Sequence, residues 1–516
     1  MVLFFKKELL SSLLLFWRRR QRPERVIDRG YAAWLKREPP AAAWRGRVAA
    51  AGKLPRISVV MPVHDPNPVW LRDAIASVRG QIFSDWELII ADDASVDPAV
   101  ATVLAECGAD PRIHVVRLEK CGGISAATNA ALSHTDGEFV AFLDHDDTLA
   151  PHALAAVACV LAEDPRLDLV FSDEDQIVGG RRAAPYFKPG WNPDLFLSQN
   201  LVCHLAVYRR DLVSRLGGLR DEVVGAQDYD LALRVVDEIG AHRVRHLPLV
   251  LYHWRQSEGS FSATHAAACE AAARRAIAWH LHGRAQVGTA PALPQWPDVR
   301  FNLPAPVPRV SIVTPEMPPG TGYDPALVEV VADAGRATGD VLAFLSPDLR
   351  PDGDGWLRAL VAQACRPEIG AAGGLLLGPD GGWCHTGYEL HPKLVAQSVA
   401  PPSDAADPGY RGQFALPRTV SAVRLDCLVV RRNVFVAAGE LNQAAQDFAG
   451  VDLCLRLAAR GLRTVWTPHA RLHYARRPRL PSAGAAWMRQ RWGETLGHDP
   501  YRNPNLRLSG GRLFLA

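Results

Sequence analysis

The residues of this chain that are best suited to chemistry directly follow an apolar run. The segment FVAFL, residues 139–143, leads straight into Asp144, Asp146 and Asp147. Closely spaced carboxylates are the hard oxygen ligands that Mg2+ and Mn2+ prefer. The same acids could instead cap a helix that begins near Pro151 and face water. The cluster therefore indicates a divalent-cation site beside a diphosphate, with helix capping as the alternative.

Acidic residues also follow two earlier apolar segments, which alternate with helical ones. ISVVMPV is followed by His64 and Asp65, and WELIIAD ends at Asp92, next to Asp93. Apolar strands separated by helical stretches predict an α/β fold whose mainly parallel sheet has helices on both faces. Ligands of such sheets bind at the carboxyl ends of the strands, where these acids fall. MPVHDPNP contains no glycine, which argues against a nicotinamide dinucleotide site.

Length and composition set further limits. A chain of 516 residues, 48% of them hydrophobic, predicts a globular protein of two or three domains. The formal net charge of +3 gives no general attraction to nucleic acid. Nine cysteines lie singly, without a CxxC pair. This pattern argues against a disulfide framework or a zinc site and favours a reducing cytosol.

The N-terminal segment, residues 1–50, combines an apolar run with basic residues. The run at 9–17 is followed by Arg18, Arg19, Arg20 and Arg22. It is much shorter than the roughly 20 apolar residues that a membrane-spanning helix needs. We expect an amphipathic helix at the inner face of the cytoplasmic membrane. The alternative is a helix that packs on the body of the protein.

Motifs of the first half recur in the same order in the second half. RVSIVTPEMP repeats RISVVMPVHDP, VLAFLSPDLRP repeats FVAFLDHDDTLAP, and GVDLCLRLAARG repeats DYDLALRVVDEIG. The repeat is shorter, so we expect no counterpart of the strand that carries Asp92 and Asp93. The predicted organisation is an N-terminal segment 1–50, a first domain 55–285, a linker 286–307, a second domain 308–480 and a C-terminal tail 481–516.

The second copy loses most of the acids. Ser346 takes the place of Asp144, and Gly450 takes the place of Asp228, whereas Asp348 persists in the acidic loop. A copy that keeps the scaffold without the acids indicates that the acids of the first copy form a functional set. Asp228 could alternatively cap the helix that follows it.

Taken together, the ordered motifs resemble a known enzyme family. ISVVMPVHDP, ADDAS, GGISAATNAAL, FLDHDD, GAQDYDLALR and YHWR, over roughly residues 55–262, resemble the inverting family 2 nucleotide-sugar glycosyltransferases. KPGWNPDLFLSQNLVCHLAVYRRDL is similar to the O-antigen and surface-polysaccharide branch, which includes tandem-domain rhamnosyltransferase-like proteins. The resemblance implies a GT-A domain with a doubly wound, mainly parallel sheet, followed by a degenerate GT-A-like α/β domain.

The resemblance also implies roles for individual residues. Asp228 is expected to be the general base, and Asp144, Asp146 and His253 are expected to hold Mg2+ or Mn2+. The nucleotide-sugar side is expected to comprise Pro62, Val63, Asp65, Asp92, Asp93, Ser125, Asn129, Asp144 and Asp146. The acceptor or diphosphate side is expected to comprise Lys188, Trp191, Gln227 and Arg255.

Several of these residues have structural alternatives. Trp191 could stack on a sugar ring or anchor its own loop. His253 could be a hydrogen-bonded core residue, and Ser125 could cap the helix in its segment. Asp173 and Asp175 could form another site cluster or a solvated turn.

The expected function is sugar transfer with inversion from a nucleoside-diphosphate donor to a lipid-linked or growing bacterial cell-surface polysaccharide. The enzyme is expected to be cytoplasmic, with possible peripheral contact to the inner membrane face. The alternative is a non-catalytic carbohydrate-binding or assembly scaffold of a polysaccharide pathway. Nucleotidyl transfer fits less well, because no glycine-rich basic loop follows the first strand.

Overall fold

A computed structural model describes residues 23–257, 264–398, 408–509 and 512–516. The apolar run at 9–17 and the arginines after it lie outside the described residues. The helices are α1 (Pro23–Leu35), α2 (Ala43–Ala50), α3 (Pro68–Arg79), α4 (Pro98–Glu106), α5 (Ile124–Leu132), α6 (Ala153–Glu163), α7 (Pro193–Phe196), α8 (Arg210–Arg215), α9 (Gln227–Glu238), α10 (Ala266–Leu281), α11 (Trp356–Ala364), α12 (Arg432–Ala437), α13 (Ala449–Ala458) and α14 (Ala485–Leu496).

The strands of the first half are β1 (Ile57–Val63), β2 (Trp86–Asp92), β3 (Ile113–Arg117), β4 (Phe139–Phe142), β5 (Thr148–Leu149), β6 (Leu169–Val178), β7 (Arg181–Tyr186), β8 (Ala206–Arg209), β9 (Val244–Arg255), β10 (Ala285–Ala290) and β11 (Leu293–Phe301). Those of the second half are β12 (Val310–Val313), β13 (Val328–Val331), β14 (Val341–Leu345), β15 (Leu349–Pro351), β16 (Ile369–Leu377), β17 (Trp383–His385), β18 (Tyr388–His391), β19 (Val395–Ser398), β20 (Arg418–Val420), β21 (Cys427–Arg431), β22 (Arg463–Tyr474), β23 (Leu506–Ser509) and β24 (Arg512–Leu515).

The first sheet has the strand order β3-β2-β1-β4-β8-β6-β9-β5, and β7 pairs with β6. Strands β3, β2, β1 and β4 run parallel, whereas β8 is antiparallel to both β4 and β6. Successive side chains of a strand face opposite sides, so Val59 packs with α3, α4 and α6 while Val60 packs with α5. The predicted α/β fold is confirmed, and the carboxyl ends of β1, β2 and β4 meet at one edge.

The second sheet repeats the order of the first. Its order, β13-β12-β14-β21-β16-β22-β15, matches β2-β1-β4-β8-β6-β9-β5 strand for strand. A side-chain pair recurs at the same register: Ser58 donates to Glu87 at 2.5 Å, and Ser311 donates to Glu329 at 2.5 Å. The internal duplication is therefore visible in both topology and local contacts.

The missing strand is not the one expected from the sequence. Strand β13 pairs in parallel with β12, as β2 pairs with β1, so the strand that carries Asp92 and Asp93 does have a counterpart. Within the described residues, the second domain instead lacks counterparts of β3, α3, α4 and α5. The second copy is therefore shorter by helices and by an edge strand. A sheet tolerates the loss of an edge strand more easily than that of an interior strand, because an edge strand pairs on one side only.

Two segments expected to be irregular are folded. The predicted linker 286–307 contains most of the antiparallel hairpin β10–β11, and Val299 of this hairpin is buried in the core of the first domain. The predicted tail 481–516 forms α14 and the hairpin β23–β24. Met488 of α14 packs in the second domain, whereas Leu513 of the hairpin packs in the first. The C-terminal segment therefore connects both cores.

A buried ion cluster joins the two domains. Asp194, in the first turn of α7, lies 2.6 Å from Arg366 and 3.3 Å from Arg463 of the second domain. The Thr419 hydroxyl donates to the same carboxylate at 2.5 Å, and Asn192 bonds to both backbone groups of Thr419 at 2.9 Å. Burial opposes ionisation of Asp194, but Arg366 and Arg463 outweigh it and lower its pKa to about 2.

Replacing Asp194 with alanine should destabilise the protein by about 3 kcal/mol, because Arg366 and Arg463 would keep only Glu368, at 2.9 and 3.6 Å, as a counter-charge. The contribution of Asp194 is complete above about pH 3.8 and is lost as the pH falls through about 2. Urea unfolding of Asp194→Ala at neutral pH tests this. The exposed pair Arg72–Glu106 supplies the control, since Glu106→Ala should leave the unfolding midpoint nearly unchanged.

Candidate active site at the edge of the first sheet

The acidic loop between β4 and β5 is held by its last acid. Asp147 is fully buried and accepts hydrogen bonds from the Tyr252 hydroxyl and the Arg255 backbone N–H, both at 2.6 Å. Burial, Asp144 and Asp146 raise the pKa of Asp147 well above its usual value. Asp147 does not cap the following helix, whose N-cap position is His152 without a side-chain cap. Its role is to anchor the loop to β9.

The other two acids of the loop lack such partners. Among the described residues, no hydrogen bond to the carboxylate of Asp144 or Asp146 is found. Burial raises the pKa of Asp144, opposed by His204, and the nearby charges of Asp146 and Asp228 raise it further. The nearest basic nitrogen to Asp146 is His145 Nδ1 at 3.9 Å, beyond hydrogen-bond distance. Carboxylates that repel one another and lack hydrogen-bond donors are a favourable setting for a cation.

Asp228 reaches this cluster from helix α9. It lies in the first turn of the helix, where the partial positive charge of the helix terminus makes a carboxylate favourable. The N-cap position is Ala226, so the capping alternative for Asp228 is wrong. The Asn200 side-chain amide donates to the Asp228 carboxylate at 2.7 Å and fixes its orientation. The structure thus brings together acids from β4 and α9.

The tips of β1 and β2 form the neighbouring part of the cleft. Val63, which follows the partly buried Pro62, accepts the Asp93 backbone N–H at 2.7 Å. The Asp65 carboxylate accepts N–H groups of Asp97 and Val96 at 3.0 and 2.8 Å, and these bonds lower its pKa. This pairing ties the loop after β1 to the loop after β2.

The two acids after β2 have different partners. Asp92 is buried and binds Arg117 at 2.6 Å and the Ser95 N–H at 3.0 Å, so it holds the loop itself. Asp93 faces the turn before α5. Burial opposes its ionisation, but N–H groups of Gly122 and Gly123 and the Cys121 thiol outweigh this effect and lower the Asp93 pKa. Asp93 is therefore the better candidate for contact with a nucleobase.

Ser125 and Asn129, expected on the nucleotide-sugar side, are engaged elsewhere. Ser125 is buried and donates to the Arg220 carbonyl at 3.2 Å, while the N-cap of α5 is Gly123. Asn129 both donates to and accepts from the Leu219 backbone at 2.8 Å. Both side chains fasten α5 to the turn before α9, and the nucleotide-sugar role expected for them stays a prediction.

The residues expected on the acceptor side have contacts within the protein, and their acceptor role stays a prediction. Lys188 is fully buried, with its ammonium 3.2 Å from Glu174. Trp191 packs its ring 5.1 Å from that of Phe196, so it anchors its loop. The Gln227 side chain accepts the N–H of Gly225 at 2.7 Å and closes the turn before α9.

Two residues of β9 lie beside the acidic loop or in the core below it. Arg255 donates to the Asp146 carbonyl at 2.7 Å and to Asp73 at 3.1 Å, so it clamps the acidic loop. His253 binds Asp175 at 2.6 Å, in a buried network with Tyr31 and Arg182. Asp175 occupies Nδ1 only, so the metal-ligand role expected for His253 stays a prediction that would use Nε2. The predicted solvated turn at Asp173 and Asp175 is instead part of buried strand β6.

Two residues near Asp144 and Asp228 were not predicted from the sequence. Asn200 orients Asp228, and His204 is the first of the residues that oppose the raised pKa of Asp144. The His204 ring stacks on Tyr252 with centroids 4.5 Å apart. The segment SQNLVCH offered polar residues but no periodic signal, because it lies in an irregular loop before β8. Only the folded structure brings this loop next to Asp144 and Asp228.

The second domain lacks room for the same constellation. Gly450 stands where Asp228 stands in the first domain, and a Cβ added there would lie 2.8 Å from the Leu425 backbone nitrogen. The neighbouring ion pair is nevertheless kept, since Arg456 donates to Asp452 at 2.8 Å as Arg234 does to Asp230. The helix is preserved while the position of the acid is filled by backbone.

Comparison with known proteins decides the family. Residues 58–217 match the model of glycosyl transferase family 2. The first domain of this chain is a family 2 glycosyltransferase domain. Its sheet, parallel on one side and mixed on the other, has the GT-A fold, as the sequence predicted.

Relatives of this chain include proteins named for polysaccharide biosynthesis. An uncharacterised protein of Sinorhizobium fredii is 34% identical over 91% of this chain and 61% of its own length. The O-antigen biosynthesis protein RfbC of Myxococcus xanthus is 34% identical over 93% of this chain and 42% of its own length. The putative colanic acid biosynthesis glycosyl transferase WcaA of Escherichia coli is 28% identical over 36% of this chain and 68% of its own. The chain thus spans 61% of the length of the Sinorhizobium fredii relative and 42% of that of the Myxococcus xanthus relative.

Solved structures match the chain only in part. TarS 1–349 of S. aureus in complex with UDP is 22% identical, with a TM-score of 0.37, over 44% of this chain and 66% of that one. A mannosyltransferase of Pyrobaculum calidifontis in complex with GDP-Man and Mn2+ has a TM-score of 0.34, over 47% of this chain and 70% of that one. In the part of the chain that the structure describes, no helix is both long and apolar enough to cross a bilayer.

Asp144→Asn should abolish thermal stabilisation by Mn2+, which in the wild type amounts to about 2.7 kcal/mol at a concentration near 100 Kd. It should also raise the melting temperature of the metal-free protein at neutral pH. The folded state favours protonated Asp144, so the carboxylate destabilises the protein above its raised pKa and this effect vanishes as the pH falls. Differential scanning fluorimetry over a pH series measures both effects. The exposed Asp136→Asn is the control, and an undiminished Mn2+ shift in Asp144→Asn would place the metal elsewhere.

Proposed function

We propose that this protein transfers a sugar, with inversion, from a nucleoside-diphosphate donor to a lipid-linked or growing bacterial cell-surface polysaccharide. The proposal rests on the like charges of Asp146 and Asp228, which both act on Asp144, in a chain whose residues 58–217 match family 2. The relative named for O-antigen biosynthesis, which matches 93% of the chain, supports the class of acceptor.

The general base in this proposal is Asp228. Inversion at the anomeric carbon requires that an acceptor hydroxyl attack on the face opposite the leaving diphosphate while a base removes its proton. The Asp228 carboxylate would accept that proton as the new carbon–oxygen bond forms and the bond to the diphosphate breaks. Asn200 positions the carboxylate, since its amide donates to one oxygen and leaves the other oxygen for the acceptor.

The donor side is proposed to extend from the acidic loop to the tip of β2. Asp144 and Asp146 would hold a divalent cation, Mg2+ or Mn2+, which when bound neutralises charge on the diphosphate. Arg255 and Asp147 keep the acidic loop in place from behind. Asp93, held by the turn before α5, would accept a hydrogen bond from the nucleobase.

The second domain is proposed to act as a scaffold or acceptor platform. Gly450 stands in place of the base Asp228, and Ser346 stands in place of Asp144. The second domain therefore has no comparable set of acids. The ion cluster around Asp194 fixes it against the first domain. All nine cysteines are free, which supports a cytoplasmic location for the proposed enzyme, with the N-terminal segment as a membrane contact.

Asp228→Asn should lower turnover by about 10²–10⁴-fold, because an amide cannot take the acceptor proton. Purified protein is first screened against a panel of nucleotide sugars for metal-dependent donor hydrolysis and for transfer to a lipid-linked glycan. Asp237→Asn, on the same helix, is the control and should retain activity. Transfer by Asp228→Asn at the wild-type rate would refute the base assignment. A wild-type protein that binds glycan but consumes no donor would indicate the scaffold alternative.

Asn200→Ala should lower kcat by up to about a hundredfold with little change in the KM for the donor, because the base would lose its fixed orientation. The melting temperature should stay close to that of the wild type, since the Asn200 side chain contributes one partly buried hydrogen bond. Steady-state kinetics separates the two parameters. A change in KM alone would show that Asn200 serves donor binding and not the base.

A further inference from the structure

A second group of metal-type ligands lies at the tips of β1 and β2. A ring nitrogen of His64, a carboxylate oxygen of Asp93 and the thiol sulfur of Cys121 lie within 4.8 Å of one another. Across the described ranges, no other trio of histidine, cysteine and acidic residues meets that distance. The three residues come from three separate loops, which is why cysteine spacing in the sequence gave no sign of the site.

The geometry of the group suits direct coordination. The Cys121 sulfur is 3.2 Å from an Asp93 oxygen, close to the separation of about 3.5 Å between ligands of tetrahedral zinc. His64 Nδ1 lies 2.8 Å from the Asp93 backbone carbonyl. A carbonyl only accepts, so Nδ1 carries the proton in the neutral ring and Nε2 keeps the lone pair. The neutral His64 ring therefore keeps one nitrogen lone pair for a cation while Nδ1 holds this bond.

The group is held in place and remains accessible. Asp93 is buried, and the N–H groups of Gly122 and Gly123 fix its carboxylate at 2.7 and 2.8 Å. Gly123 adopts a φ of 87°, a conformation that residues with a Cβ rarely take, so the turn needs glycine there. His64 and Cys121 are both exposed, so a cation in solvent can reach them.

The ligand types select the cation. Nitrogen, sulfur and one carboxylate oxygen are the donors that Zn2+ takes, whereas the all-oxygen pair Asp144 and Asp146 suits Mg2+ or Mn2+. Three protein ligands leave a fourth position for water. We propose that His64, Asp93 and Cys121 bind Zn2+, and that the bound ion excludes the nucleobase from Asp93. The exclusion rests on the proposed function, whereas the binding does not.

Zinc binding displaces one proton from the site. The Cys121 thiol loses its proton to solvent, and its sulfur forms a bond to Zn2+ in place of the hydrogen bond to Asp93. Asp93 keeps its two backbone N–H bonds and contributes a remaining lone pair to the ion. A carboxylate that is bound to zinc is no longer available to a nucleobase, so zinc acts as an inhibitor.

Co2+ serves as the spectroscopic probe for the full-length protein, since a thiolate ligand gives an intense charge-transfer absorption band. Wild type and the matched control Cys384→Ser should show the band, whereas Cys121→Ser should lose it. Zn2+ affinity, measured by competition with a chromophoric chelator, should fall at least about tenfold in Cys121→Ser and in His64→Gln. A serine hydroxyl can still donate to Asp93, so the loop should be kept, and melting temperatures check this. An unchanged band or affinity in Cys121→Ser would overturn the site.

A second measurement tests the exclusion. Binding of UDP, GDP and dTDP is measured in excess Mg2+, with and without Zn2+, for the wild type and Cys121→Ser. Zinc should weaken nucleotide binding by the wild type at least about tenfold and should have little effect on Cys121→Ser. Equal nucleotide affinity with and without zinc would overturn the exclusion. Failure of the wild type to bind any nucleotide in Mg2+ alone would instead contradict the proposed function and leave the Co2+ result standing.

Discussion

Repulsion between carboxylates in a poorly solvated cleft is the constraint around which the first domain is organised. Asp144 and Asp146 follow a central strand, and Asp228 begins a helix far along the chain, yet the fold places their charges close together. The residues that hold these acids in place carry no negative charge. Asn200 orients Asp228, and Arg255 clamps the backbone of the acidic loop. The local electrostatic cost is tolerated because the surrounding sheet and helices fix these positions.

The second domain shows how the same scaffold behaves without that constraint. It keeps the strand order, the Ser311–Glu329 pair and the Arg456–Asp452 pair. These contacts stabilise the sheet and the helix in both copies, so their role is in folding and not in catalysis. At Gly450, backbone fills the space that Asp228 uses in the first domain. Loss of the acid and closure of its space occur together.

The two domains are joined more closely than a linker and a tail would allow. The side-chain amide of Asn503, in the C-terminal segment, donates to the buried carboxylate of Asp173 in β6 and to the Lys188 carbonyl. Asp194 forms its ion cluster with the second domain on the same side of the molecule. Strand β6 and the loop after β7 therefore contact the active-site face, the second domain and the C-terminal segment.

The sequence by itself determined the elements and the central acids. Alternation of apolar strands and helices specified the α/β fold, and the ordered acidic motifs indicated Asp144, Asp146 and Asp228, because these signals are local in the chain. The tertiary structure decided which polar residues face the cleft. Ser125 and Asn129 share the motifs yet fasten helix to turn, and Asn200 carries no motif yet orients the base. Side-chain direction and partners depend on contacts between distant segments, and local sequence patterns do not encode those contacts.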